Sequence, residues 1–179
     1  MPEYRRSRLG STYFFTVVTY KRQPLLCLDE SRAILEEVIN KTRVLYPFDI
    51  KAWVLLPDHL HTIWKLPEGD SRYSMRWGFI KKEFTKRFKI PLSITSTTSR
   101  FRKREGNLWQ RRFWEHTIRD DDDYRAHVDY IHYNPVKHGL AVRAGDWVYS
   151  TFHRYRKEGL YPEDWGEAEI RFPKKFGGE

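Results

Sequence analysis

Two apolar runs that meet at Pro57 and Asp58 do most to limit what this chain can become. FDIKAWVLL at 48–56 and HLHTIWKL at 59–66 are rich in β-branched and aromatic residues, and the Pro-Asp pair between them favours a tight turn. The spacing predicts a β-hairpin. Before it, STYFFTVVTY at 11–20 reads as a strand. Residues 29–46 read as a helix, because Ile34, Leu35, Val38 and Ile39 repeat at helical spacing behind two acids. After the hairpin, 73–89 reads as a second helix and LWQRRFWEHTI at 108–118 holds a fourth strand. Asp120, Asp121, Asp122 and Asp123 start a third helix, and Pro135 marks its end at about Tyr133 or Asn134. The order β-α-β-β-α-β is the split βαβ pattern. The predicted fold is therefore α+β, a ferredoxin-like or RRM-like antiparallel sheet with helices on one face and a C-terminal helical extension carrying Tyr130. A length of 179 residues suits one domain, 1–179, with about 141–179 as the part of the extension that follows the tyrosine helix.

The second strand of the hairpin carries His59 and His61. Residues i and i+2 of a strand share a face, with Cα atoms roughly 6.5–7 Å apart, so both rings can converge on one metal ion. The plainer reading is two histidines on a solvated face. On the third helix, Tyr124, Val128 and Ile131 form an apolar stripe that should face the core. His127, Tyr130 and Asn134 fall at its flank, which predicts a half-sheltered Tyr130, and Tyr133 points away from the core. A tyrosine at such a boundary also serves as packing with its hydroxyl hydrogen-bonded.

The net charge of +9 is concentrated. Residues 72–113 hold 13 Lys/Arg against Glu83 and Glu105, a local charge of +11, so the rest of the chain nets −2. Trp77, Phe79, Phe84, Phe88, Phe101, Trp109 and Phe113 are interleaved with these charges. Cations beside aromatics suit a phosphate backbone with stacked bases; a solvated helix face over a core is the alternative. The polar, basic stretch 91–107 reads as a loop that a ligand orders. The RNP1 pattern of RNA-recognition modules is not found. One cysteine, Cys27, excludes a disulfide framework or a Cys-rich zinc site and reads as packing. No apolar run approaches 18 residues and the N-terminus lacks a signal-like stretch, so a soluble, cytoplasmic protein without membrane contact is expected.

Taken together, PEYRR, FDIKAWVLLPDHLHTIWKLPEGD, WQRRFWEHTIRDDDDYRAHVDYIHYNPVKHGL and DWVYSTFHRYRKEGLYPEDWG resemble the REP-associated tyrosine transposases, within the HUH single-strand nucleases. The resemblance runs almost end to end, with 91–107 the part that does not align. It implies a metal-dependent enzyme acting on single-stranded DNA with a REP hairpin, through a covalent 5′-phosphotyrosine and a free 3′-OH. On that resemblance Tyr130 is the nucleophile, His59 and His61 are metal ligands, and Asn134 is the third ligand where the insertion-sequence relatives more often carry glutamine. The implied ion is Mg²⁺ or Mn²⁺. Candidate DNA contacts are Arg5, Arg6, Lys81, Lys82, Lys86, Arg102, Lys103, Arg104, Arg111 and Arg112, with Trp109 as a stacking residue. No protein partner is implied. His116, His127, His132, His138 and His153 read as structural or DNA-facing, with His127 on the stripe of Tyr130. A hairpin-binding regulator that keeps the fold without turnover is the competing function.

Overall fold

The computed structural model describes residues 11–89, 108–174 and 176–178. Strands β1 (Thr12–Val18), β2 (Asp49–Leu55), β3 (His59–Lys65) and β4 (Trp114–Thr117) form one antiparallel sheet in the order β2-β3-β1-β4. Helices α1 (Asp29–Leu45) and α2 (Tyr73–Arg87) complete the β-α-β-β-α-β unit, so the expected fold class is the one found. A third long helix, α3 (Asp121–Lys137), and a short α4 (Phe152–Lys157) follow.

Alternation along the strands sorts side chains between two covered faces. Tyr13, Phe15, Val17, Leu60 and Trp64 pack with Leu35 and Val38 of α1 and with Trp77, Ile80 and Phe84 of α2. Phe14, Ala52, Val54 and Ile63 pack instead with Val128, Tyr130 and Ile131 of α3. The helices therefore lie on one face only for α1 and α2; α3 crosses the other. A bulge between Ile50 and Ala52 keeps β2 in phase with both layers. The first core is mainly aromatic: Trp64 stacks on Trp77 with ring centroids 4.2 Å apart, and Phe48 lies 4.1 Å from Trp64. Arg76, itself buried, closes that core by bonding Asp70 at 2.9 Å and the carbonyl of Pro47 at 3.0 Å.

The extension after α3 covers the outer edge of β2. The Leu55 N–H donates to the Tyr149 carbonyl at 2.9 Å, and the Thr151 N–H donates to the Trp53 carbonyl at 2.9 Å. These bonds satisfy an edge that would otherwise be open. Beneath them runs a partly buried polar chain centred on the buried His132. The Tyr161 hydroxyl donates to Asp129 at 2.9 Å, His132 Nδ1 meets the same hydroxyl at 2.9 Å, and His132 Nε2 meets the Thr151 hydroxyl at 2.8 Å.

Three expectations need correction. First, Pro135 does not end the helix, since α3 runs through it to Lys137. Proline disfavours a helical residue before it, but Asn134 and Pro135 are both buried here, and tertiary packing overrides that local preference. Second, Tyr133 does not point to solvent: it is buried because Trp165 and Phe172 of the extension close over it. Third, Trp109 is buried, its ring edge-on to Phe84 at 5.2 Å, so it presents no face to a base.

Candidate active site

The α3 face of the sheet buries polar groups from three segments. Antiparallel register sets Val18 opposite His59 and Thr16 opposite His61. His59 and His61 are both buried, with ring centroids 4.9 Å apart in an edge-to-face arrangement. From above, α3 lowers Tyr130 onto His61, ring centroids 5.2 Å apart. One turn later on the same stripe sits Asn134, fully buried. The structure thus brings His59, His61 and Tyr130 together, and holds Asn134 buried one turn beyond Tyr130 on the same helix.

Hydrogen bonds set the tautomers of the two imidazoles. His59 Nδ1 lies 2.6 Å from the Asp58 carboxylate, an acceptor, so Nδ1 carries the proton. The Thr16 hydroxyl donates its proton to the Gly177 carbonyl, so it can only accept from His61 Nδ1 at 2.8 Å. When neutral, each ring then carries its lone pair on Nε2, the form a metal-binding imidazole needs, held by the partner on its other nitrogen. Burial raises the Asp58 carboxyl, but the His59 hydrogen bond and charge, with Arg22 at 3.1 Å, outweigh it and hold the group below its ordinary value. Both amide atoms of Asn134 are buried without a hydrogen-bond partner among the described residues. A buried, unsatisfied amide is costly unless a further group completes it. Two imidazoles and an amide oxygen are donor types that a divalent ion accepts.

Tyr130 is covered as well as buried. Phe172 and Phe176 pack edge-on against its ring at 5.1 and 5.2 Å. Gly177, at a positive φ of 76°, lays its main chain over the phenol where any Cβ would overlap the ring. The half-sheltered tyrosine expected from helical periodicity is therefore fully enclosed, because Phe172, Phe176 and Gly177 lie over a flank that α3 alone leaves open.

Two neighbours were missed in the sequence. The Lys137 ammonium donates to the Tyr130 hydroxyl at 2.9 Å. The His138 ring meets the His59 ring at 5.0 Å. Both follow Pro135, so a helix that stopped there placed neither. Tyr130, Asn134 and Lys137 at i, i+4 and i+7 are the signal that reveals the lysine once the helix continues.

A second cluster lies beside the site. His116, Asp123 and His127 present ligand atoms within 4.8 Å of one another, a spacing that could hold an ion. Their orientation suits a buttress better. The two rings stack at 16° to each other, whereas an ion shared by both must lie in both ring planes. The Asp123 carboxylate is already taken by His116 at 2.8 Å and the Arg119 N–H at 2.9 Å. Burial also holds His127 toward its neutral form. Phe14 separates His127 from His61, with centroids at 4.7 and 5.7 Å.

The basic candidates lie elsewhere. Lys82 and Lys86 on α2 and Arg111 and Arg112 before β4 are exposed. Lys81 is half-buried, its ammonium bonded to the Gln110 carbonyl at 3.0 Å and set over the Phe113 ring, and burial lowers it to about 8. Arg5, Arg6, Arg102, Lys103, Arg104 and the 91–107 loop lie outside the described residues. Among the described residues no helix is long and apolar enough to cross a membrane.

No protein-family model matches the chain. Whole relatives do. The REP-associated tyrosine transposase of Escherichia coli K12 is 48% identical over 166 residues, 92% of this chain and 91% of that one. A relative from Haemophilus influenzae, whose own assignment to the same group is provisional, is 43% identical over 93% of this chain and 94% of its own. A solved structure of a REP-associated tyrosine transposase bound to a REP hairpin superposes with a TM-score of 0.73 at 46% identity, covering 96% of this chain and 95% of that one. Identity at this level over nearly the whole length of both curated relatives shows that the chain belongs to the REP-associated tyrosine transposases.

Proposed function

We propose that this protein cuts and rejoins single-stranded DNA at REP-type hairpins, with Tyr130 as the nucleophile. The observation that carries the reading is the meeting of Tyr130, His59 and His61 on one buried sheet face, with Asp58 and Thr16 on the Nδ1 side of the two imidazoles. Hairpin binding by the solved relative supports the choice of substrate.

Tyr130 Oη attacks the scissile phosphorus in line. The Oη–P bond forms, the P–O3′ bond breaks, and a 5′-phosphotyrosine and a free 3′-OH result. Rejoining is the reverse, and the covalent link conserves the phosphodiester for strand transfer. His59, His61 and Asn134 would hold a divalent ion, and two imidazoles favour Mn²⁺ over Mg²⁺, which prefers oxygen. Such an ion would supply polarisation of the phosphate and offset its developing charge. Asp58 and Thr16 keep the two rings oriented. For DNA to reach the phenol, Phe172, Phe176 and Gly177 must move off it.

The covered phenol is also what favours the second reading, a hairpin-binding regulator without turnover. Incubation with labelled single-stranded hairpin DNA and Mn²⁺ decides between them. A protein–DNA adduct that survives SDS is expected from the wild type and from Tyr133→Phe, and none from Tyr130→Phe or in EDTA. Hairpin binding without any adduct, across a range of metal ions, would leave the regulator.

A further inference from the structure

We propose that Lys137 is a catalytic residue whose ammonium stabilises the phenolate of Tyr130, both when it attacks and when it leaves. The inference rests on the reading of Tyr130 as nucleophile. Lys137 occupies the last turn of α3, seven residues after Tyr130 and on the same side. Its side chain lies back over the helix, with Nζ 4.8 Å from the centre of the Tyr130 ring and 2.9 Å from the hydroxyl oxygen. A neutral phenol is a poor nucleophile, and a phenolate is a poor leaving group when rejoining expels it. Both directions place negative charge on the same oxygen, and a fixed cation at that atom stabilises it in each.

The proton balance is simple. On cleavage the phenol proton passes to water, the Oη–P bond forms, the P–O3′ bond breaks, and the 3′ oxygen takes a proton from water. On rejoining these steps run backwards. The ammonium keeps its protons throughout, so it acts by charge. Continuation of α3 through Pro135 is what places it, since a helix ended at Asn134 would leave Lys137 on a loop.

The test compares Lys137→Met and Lys137→Arg with wild type at saturating hairpin DNA and Mn²⁺. Adduct formation and the reverse attack of a 3′-OH on the isolated adduct are both timed. The Met variant should slow both by about 100-fold, with melting temperature and hairpin affinity near wild type, and the Arg variant should recover part of the loss. Replacing Tyr130 with 3-fluorotyrosine, a more acidic phenol, should narrow the gap between the Met variant and wild type. A merely structural lysine would not respond to that change. Rates within about twofold of wild type for Lys137→Met, a loss confined to hairpin affinity, or a gap indifferent to fluorination would each overturn the proposal. If Tyr130→Phe itself still forms the adduct, the nucleophile reading falls instead.

Discussion

The two faces of the sheet are made by the same strands and filled with opposite chemistry. Under α1 and α2 lie Phe15, Trp64, Trp77 and Phe84, a mainly apolar layer. Under α3 lie Thr16, His59, His61, Tyr130 and Asn134 among Phe14, Val54 and Ile63. Apolar burial stabilises at about 25 cal/mol per Å², while buried polar groups are tolerated only when partnered. The first face therefore supplies stability, and this lets the second hold groups that packing alone would reject. Strand alternation keeps the two apart, because neighbouring residues of one strand serve different layers.

That division is broken most directly by Trp64→Ala. Trp64 is fully buried in the aromatic layer, so its truncation should cost about 3–5 kcal/mol in urea unfolding, yet leave adduct formation per folded molecule unchanged. His61→Ala should do the reverse. Adduct formation should fall at least about 100-fold, while the urea midpoint moves less than for Trp64→Ala. If both variants lose stability equally, the two layers are not separate.

Acid sharpens the contrast next. Burial first, then the charges of Arg154 and His153, lowers His132 to about 3. In the unfolded chain a histidine titrates near 6.5. Between those values the unfolded state binds the extra proton, so stability is complete above about pH 6.5 and falls as the pH drops toward 3, at up to about 1.4 kcal/mol per pH unit. Asp58 and Asp123, both held below the ordinary carboxylate value, add to this loss only below about pH 4. His132→Gln should flatten the limb between pH 6.5 and 4 in urea titrations, and hydrogen exchange should open the extension before the aromatic layer. An unchanged slope in the variant would assign the acid sensitivity to another group. The smallest effect is expected from Lys82, Arg111 and Arg112, exposed on the α2 side and before β4. Each change to Gln should reduce the salt slope of hairpin binding by about 0.7 if that cation neutralises a phosphate. Slopes equal to wild type would place the phosphate contacts on other residues.

Much of this was legible before any coordinates. The strand order, the hairpin at Pro57, the shared face of His59 and His61 and the stripe of Tyr130 and Asn134 follow from periods of 2 and 3.6 that bonded geometry imposes within one element. Family resemblance added the roles. The enclosure of Tyr130 was not legible, because Phe172, Phe176 and Gly177 come from about forty residues further along the chain. Nor was the burial of Trp109, since an aromatic among cations reads alike whether it faces DNA or a core. Pro135 misled for the same reason: its local preference is real, but the packing of Asn134 and Pro135 outweighs it and carries α3 on to Lys137. The sequence by itself determined which residues share a face; which faces are covered, and how far a helix runs against its local preference, were decided by contacts between distant segments, whose summed packing energy exceeds the propensity of any single residue.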